Sequence, residues 1–187
     1  KGYNTDAIGL YRELEEENII IKDKEVIILG AGGASNAITY ICADKGSAKI
    51  YLLNRTFDKA KKLADDVNSH FGDVVVPLAI SDYRLIPKGK YPVIQTTSCG
   101  LYPHNDDAPI YDKEFYELVE AGVDIIFNPA KTMFMKLCKE SGARAYNGLK
   151  MLLYQGIAAF ELWNDIKVPK NLADKILGMM ERKLKES

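Results

Sequence analysis

The sequence predicts a doubly wound α/β fold of the Rossmann type, a mostly parallel six-stranded sheet with helices on both faces. Three observations predict it. Short continuous apolar runs, Val26-Ile27-Ile28-Leu29 and Ile50-Tyr51-Leu52-Leu53 among them, suit strands buried on both faces. Stretches of helical spacing separate these runs, and strands alternating with helices imply parallel pairing through right-handed crossovers. A glycine cluster, Gly30-Ala31-Gly32-Gly33, closes the first run, where this class of fold places its tight strand-to-helix turn.

The elements follow in order. Asn4, Thr5 and Asp6 are good helix N-caps, and Ile8, Tyr11 and Leu14 repeat at helical spacing, so a helix is expected to about Glu17. Strand one is Val26 to Leu29. A helix runs from Ala34 to about Lys45, with Gly46 as its stop. Strand two is Ile50 to Leu53, followed by a helix from Asp58 to about His70. Val74-Val75-Val76, Pro92 to Thr96, Asp124 to Phe127 and Ala143 to Tyr146 are the remaining strands. Helices are expected between them at roughly 113–121 and 132–141. Two more close the chain, at about 148–164 and 171–185, separated by Pro169.

The composition excludes several classes. Basic and acidic side chains nearly balance, 25 against 26, for a net charge of -1. No basic excess exists to displace counterions from a nucleic acid, so none is expected as partner. Three cysteines, Cys42, Cys99 and Cys138, lie far apart with no CxxC pair, so no metal site or disulfide framework is expected and a reducing, cytoplasmic compartment is. No apolar run reaches the length of a membrane span, and no basic-then-apolar leader opens the chain. The chain starts at Lys1, without methionine, almost inside a motif; it reads as cut from something longer.

The glycine turn carries the first functional signal. A side chain at Gly30 would obstruct the tight turn, and one at Gly32 would hold the backbone away from a pyrophosphate. Ala31, Gly33, Ala34 and Ser35 complete the turn and open a helix whose positive end and free N–H groups face the phosphates. The usual third glycine is Ser35 here, and a glycine cluster alone is a weak signal; the strand before it and the helix after it strengthen it. The second signal follows strand two. An NAD site puts a carboxylate there for the ribose hydroxyl, whereas this chain has Asn54-Arg55-Thr56. A guanidinium grips a 2′-phosphate through two donors, and Lys59 adds charge one turn later, so NADP is the expected cofactor. The plainer alternative makes both basics solvated charges.

Six segments occur in one order: Gly2-Tyr3-Asn4-Thr5-Asp6-Ala7-Ile8-Gly9, the turn from Gly30 to Ser35, Asn54-Arg55-Thr56, Thr96-Thr97-Ser98-Cys99-Gly100, Phe127-Asn128-Pro129, and Gly148-Leu149-Lys150-Met151-Leu152-Leu153-Tyr154-Gln155. In this the chain resembles, from end to end, the C-terminal, NADP-binding half of the shikimate dehydrogenases. The resemblance implies reversible, NADP-linked reduction of 3-dehydroshikimate to shikimate, on the route to aromatic amino acids. It also implies an N-terminal substrate domain, with its serine pair, asparagine and catalytic lysine, that this chain lacks. Residues 1–187 would be the cofactor domain, with 1–17 and 148–187 as helices at the substrate cleft and domain edge.

Site residues follow from the same resemblance. Asp6 matches the carboxylate that pairs with the lysine, orienting its ammonium while a proton leaves or joins the substrate oxygen. Asn4, Thr5 and Gln155 match the substrate wall. Gly148 and Met151 match positions near the nicotinamide, with Ile125 and Phe127 on the fifth strand's end. Thr96, Thr97 and Ser98 end strand four, where loops line the ligand crevice; turn-making explains those hydroxyls equally well. Phe127 stands where the family often has a tyrosine, which puts substrate choice in question. A quinate-type paralogue and a non-catalytic NADP-binding module are the alternatives, and a homodimer is compatible with either. His70 and His104 fall in no matching motif. The cofactor half alone is expected to fold and hold NADP without oxidising shikimate.

Overall fold

The computed structural model describes residues 2–186. Its six strands are β1 (Glu25–Leu29), β2 (Lys49–Asn54), β3 (Val75–Ala79), β4 (Tyr91–Gln95), β5 (Val119–Asp124) and β6 (Arg144–Asn147). They form one sheet in the order β3-β2-β1-β4-β5-β6, and every pairing is parallel. This is the doubly wound order, with its topological switch between β1 and β4. The helices are α1 (Asp6–Glu16), α2 (Gly33–Asp44), α3 (Phe57–Phe71), α4 (Lys113–Tyr116), α5 (Met133–Glu140), α6 (Leu149–Asn164) and α7 (Lys170–Glu186).

The continuous apolar runs explain why both sheet faces are covered. Side chains alternate across a strand, so Val26 and Ile28 of β1 enter one core with Leu10, Leu14, Ile38, Cys42 and Leu63. Ile27 and Leu29 enter the other, with Tyr83, Phe115, Phe134 and Cys138. Helices α1, α2 and α3 therefore cover one face, and α4 and α5 the other. The three cysteines carry free thiols, two of them buried.

Two expected elements need correction. The helix expected at 113–121 is only Lys113–Tyr116, and the strand expected at 124–127 is instead Val119–Asp124. Asp112 caps the short helix by accepting from the Glu114 amide at 3.1 Å. The chain then turns at once to reach β4, where the Tyr91 amide donates to the Leu118 carbonyl at 2.8 Å. The strand was hidden because its centre is small. A Cβ on Gly122 would lie 2.7 Å from Cys138 Sγ and 3.0 Å from the Phe134 ring, so α5 packs directly onto strand backbone. Ile125, Ile126 and Phe127 leave the sheet as a loop. A 3₁₀ turn at Ile80–Leu85, also unexpected, bridges β3 and β4.

Helix α1 lies against α6 through Gly9. A Cβ there would sit 2.6 Å from the Met151 carbonyl oxygen and 2.8 Å from the Gln155 amide, so only glycine lets the backbones approach this closely. Charge pairs then fix the crossing. Arg12 binds Glu161 at 2.7 Å, and Lys150 binds Glu16 at 2.7 Å and also Glu17. These pairs are partly buried, which makes them stiffer than solvent-exposed ones. The start of α1 is thereby set beside the middle of α6.

Candidate functional site

Parallel pairing puts the C-terminal ends of all six strands on one edge. The register aligns Leu29 with Leu53 and with Gln95, Gln95 with Asp124, and Asp124 with Asn147. The loops that follow these residues share that edge, where doubly wound sheets bind ligands in a crevice. Nearly every candidate residue outside α1 and α6 lies on it.

At the switch point Gly30 has φ +113°, a backbone that side-chain-bearing residues rarely adopt. A Cβ there would also fall 2.6 Å from Thr96 Oγ1 and 3.0 Å from Thr97 Cγ2. Gly30 is thus required twice, by its own backbone and by the end of β4 crossing beside it. Gly32 and Gly33 differ: a Cβ on either would meet nothing within 4 Å. Space lies in front of them, and Gly32 stands at the N-cap of α2 with no side chain capping the first turn. That helix end offers backbone N–H groups and a positive dipole to an anion. Glycines facing empty space at an uncapped helix start fit a pyrophosphate.

Ser35 and Thr96 play other parts. Ser35 is fully buried and its hydroxyl donates to the Gly30 carbonyl at 2.6 Å. Thr96 donates to the Leu29 carbonyl at 2.7 Å. Both hydroxyls tie the turn together from beneath. Thr97 Oγ1 accepts from the Cys99 amide at 3.1 Å, while Ser98 is exposed. The turn-making reading therefore accounts for Thr96 and Thr97.

At the end of β2, Asn54 Nδ2 donates to the Thr56 carbonyl at 2.8 Å and braces the loop. Arg55, Thr56 and Lys59 are exposed. Neither Arg55 nor Lys59 has an ion-pair partner among the described residues, so both remain available to an anionic ligand. Asp58 is the one acid in the first turn of α3.

The second wall comes from α1 and α6. Asn4 Oδ1 accepts from the amides of Asp6 and Ala7, at 3.0 and 3.3 Å. Asn4 therefore caps α1, and Asp6 stands inside the helix. The Asp6 carboxylate, half-buried, has no side-chain partner among the described residues. Thr5 Oγ1 donates to Gln155 Oε1 at 3.4 Å, which joins the two helices at this wall. Gly148 is needed for packing, because a Cβ would collide with the Ile125 carbonyl. Met151 is buried in the core. Phe127, on the loop beyond β5, is 38% exposed.

Sequence reasoning missed three polar residues beneath the crevice and one in the α1–α6 seam. Asp124, fully buried, accepts from Thr132 Oγ1 at 2.6 Å, the Ile126 amide at 3.0 Å and Gln95 Nε2 at 3.2 Å. Burial pushes its carboxyl up to about 6, and these hydrogen bonds hold it from rising further. The available signal was a single polar residue closing each of two apolar strands, Gln95 on β4 and Asp124 on β5. Glu13, 1% exposed, accepts from the Met151 amide at 3.1 Å, and burial pushes its carboxyl up to about 8. It lines a cavity of about 380 Å³ with Lys150 and Leu177, which Ala130 and Asn147 also line.

Strand order, glycine turn and switch-point crevice define a Rossmann-type domain. A family model described as Shikimate / quinate 5-dehydrogenase matches residues 13–81, and one described as Shikimate 5'-dehydrogenase C-terminal domain matches 148–175. Over 95% of its length the chain is 38% identical to the shikimate dehydrogenase (NADP(+)) of Carboxydothermus hydrogenoformans, covering 63% of that protein. Its fold matches a chorismate mutase/shikimate 5-dehydrogenase fusion protein from Clostridium acetobutylicum with a TM-score of 0.84, at 32% identity over 100% of this chain and 63% of the other. It also matches the shikimate 5-dehydrogenase of Listeria monocytogenes, solved in complex with shikimate and NAD, with a TM-score of 0.82 at 27% identity, over 94% and 63%. By sequence and by fold, the chain is similar to the shikimate dehydrogenases over the part of them that it spans. That part is between 59% and 64% of the length of the first curated relatives. No described helix is long and apolar enough to cross a membrane.

Proposed function

We propose that this chain is the cofactor-binding domain of an NADP-dependent dehydrogenase that interconverts shikimate and 3-dehydroshikimate. One observation carries the reading. An uncapped helix start fronted by open glycines lies one strand from an exposed, unpaired Arg55. Pyrophosphate on α2 puts the adenosine end over β2, where Arg55 and Lys59 meet a 2′-phosphate. NADP, when bound, supplies the hydride chemistry; the residues of this chain bind and orient. Asp6, Thr5 and Gln155 form the substrate wall, with Asp6 free to pair with the acid–base lysine that the resemblance assigns to a separate domain. Residues 148–186 form the domain edge, and the exposed Phe160, Leu162 and Trp163 support packing against further protein, whether that domain or a second copy. The free cysteines suit a reducing cytoplasm.

The relative from Carboxydothermus carries NADP(+) in its name, while the Listeria structure holds NAD, so the preference rests on Arg55. Arg55→Ala should weaken NADP binding by about 1.5–3 kcal/mol, one charge-assisted contact, and leave NAD within twofold in calorimetry. Equal losses for both would remove the guanidinium from the 2′-phosphate. The activity is tested on the full-length protein with NADPH and 3-dehydroshikimate. Oxidation of quinate in place of shikimate would favour a paralogue, a reading that Phe127, without a hydroxyl, supports. Turnover of neither would leave a non-catalytic binding module.

A further inference from the structure

We propose that Asp124 is a positioning residue for the nicotinamide half of the cofactor, holding the loops after β4 and β5 in one arrangement. The proposal rests on the cofactor reading above and on geometry. If the 2′-phosphate lies over β2 and the pyrophosphate over β1, a dinucleotide can only continue across β4 and β5. The backbone it meets there is the loop 96–100 and the loop 125–132.

Both loops hang from one buried pair. Gln95 turns its amide toward the β4 loop, donating to the carbonyls of Thr97 at 3.3 Å and Cys99 at 3.2 Å and accepting from the Thr97 amide. The same Nε2 donates to Asp124. Asp124 turns the other way, taking the Ile126 amide near the start of its loop and the Thr132 hydroxyl at the end. Thr132 also caps α5, accepting from the Met135 amide at 3.3 Å. Ile125 is pinned between these bonds: its amide donates to the Gln95 carbonyl at 3.1 Å, and its own carbonyl lies against Gly148. A fully buried carboxylate with three donors is costly unless all three are kept, so the two loops have one low-energy placement. Removing the carboxylate leaves buried donors unpaired and frees residues 97–99 and 126–132 together, while Thr96 stays tied to the Leu29 carbonyl through its own amide and hydroxyl, so the β1 and β2 ends keep their bonds.

The prediction separates the two halves of the ligand. Adenosine 2′,5′-bisphosphate, which lacks the nicotinamide, reports the β1–β2 end alone; NADP reports both. Asp124→Ala should leave the bisphosphate within twofold of wild type in calorimetry and cut the advantage of NADP over it at least tenfold. Asp124→Asn, which keeps acceptors for Ile126 and Gln95, should restore that advantage to within about threefold. Should Asp124→Ala not fold, Thr132→Val removes one bond of the knot and should still cut the advantage at least threefold. Equal weakening of both ligands, or no change in either, would overturn the proposal and leave Asp124 a packing residue. A wild-type chain that binds neither ligand would remove the cofactor reading itself, and this proposal with it.

Discussion

On the proposed function, replacing Asp6 with alanine, in a protein that also carries the acid–base lysine, should lower turnover by roughly 10²–10⁴, the range in which a positioned acid–base group acts. NADP affinity should stay near that of the wild type. Oxidising the substrate carbon sends a hydride one way and the hydroxyl proton another, and the proton needs a base whose pKa and orientation are held. The structure removes the plainest competing role for Asp6. Helix α1 is capped by Asn4, through two backbone amides, so the Asp6 carboxylate is left without a structural partner. Its loss should therefore cost little stability, at most the few tenths of a kcal/mol to about 1 kcal/mol of an acid in a helix's first turn. Steady-state kinetics and a melting curve on the same variant check both halves. Unchanged turnover would make Asp6 an ordinary first-turn acid.

The second large effect is on stability and belongs to Glu13. Its carboxyl sits in the seam between α1 and α6, and burial pushes it up to about 8 while Glu16 and Glu17 add to the rise and Lys150 and the Met151 amide oppose it. The folded chain thus keeps a proton that the unfolded chain gives up near its ordinary value of 4.5. Stability from this group is whole below that value and declines as pH rises toward 8. Over the window it amounts to roughly 3–5 kcal/mol, a large part of a domain's total. Asp124, pushed up to about 6, acts in the same direction over the lower part of the window. Glu16, Glu161 and Asp112 are held low by their partners, so their contributions are lost only in acid, below the window. Glu13→Gln should flatten the decline between pH 5 and 8 and be the more stable chain at pH 8. Denaturant unfolding at three pH values measures it. Parallel profiles for the two proteins would mean that Glu13 is ionised in the fold.

What was legible in the sequence follows from what is local. Val26 to Leu29 and Ile50 to Leu53 announce themselves because central parallel strands bury both faces and so need unbroken apolar runs. The turn at Gly30 is legible because a positive φ and a close crossing leave glycine as the only choice. The place of Arg55 is legible because it directly follows a strand's apolar run. The fifth strand was not: Gly122 is small for the sake of Phe134 and Cys138, further along the chain, and the exposed Glu120 breaks the run. Glu13, Gln95, Asp124 and Thr132 escaped for the same reason. A buried polar residue is defined by the partner that satisfies it, and those partners lie 29 residues away for Gln95 and Asp124 and 138 for Glu13 and Met151. Ser35 and Thr96 were legible as residues of the turn, yet only their inward hydrogen bonds reveal that they hold it from below.

On the proposed function, the ends of β1 and β2 select a 2′-phosphorylated dinucleotide. Calorimetric titration of the unaltered chain with NADP and with NAD, in one buffer at low and at moderate salt, tests it most directly. NADP should bind at least tenfold more tightly, with the margin narrowing as salt screens Arg55 and Lys59. Equal affinities for the two cofactors, at either salt concentration, would contradict it.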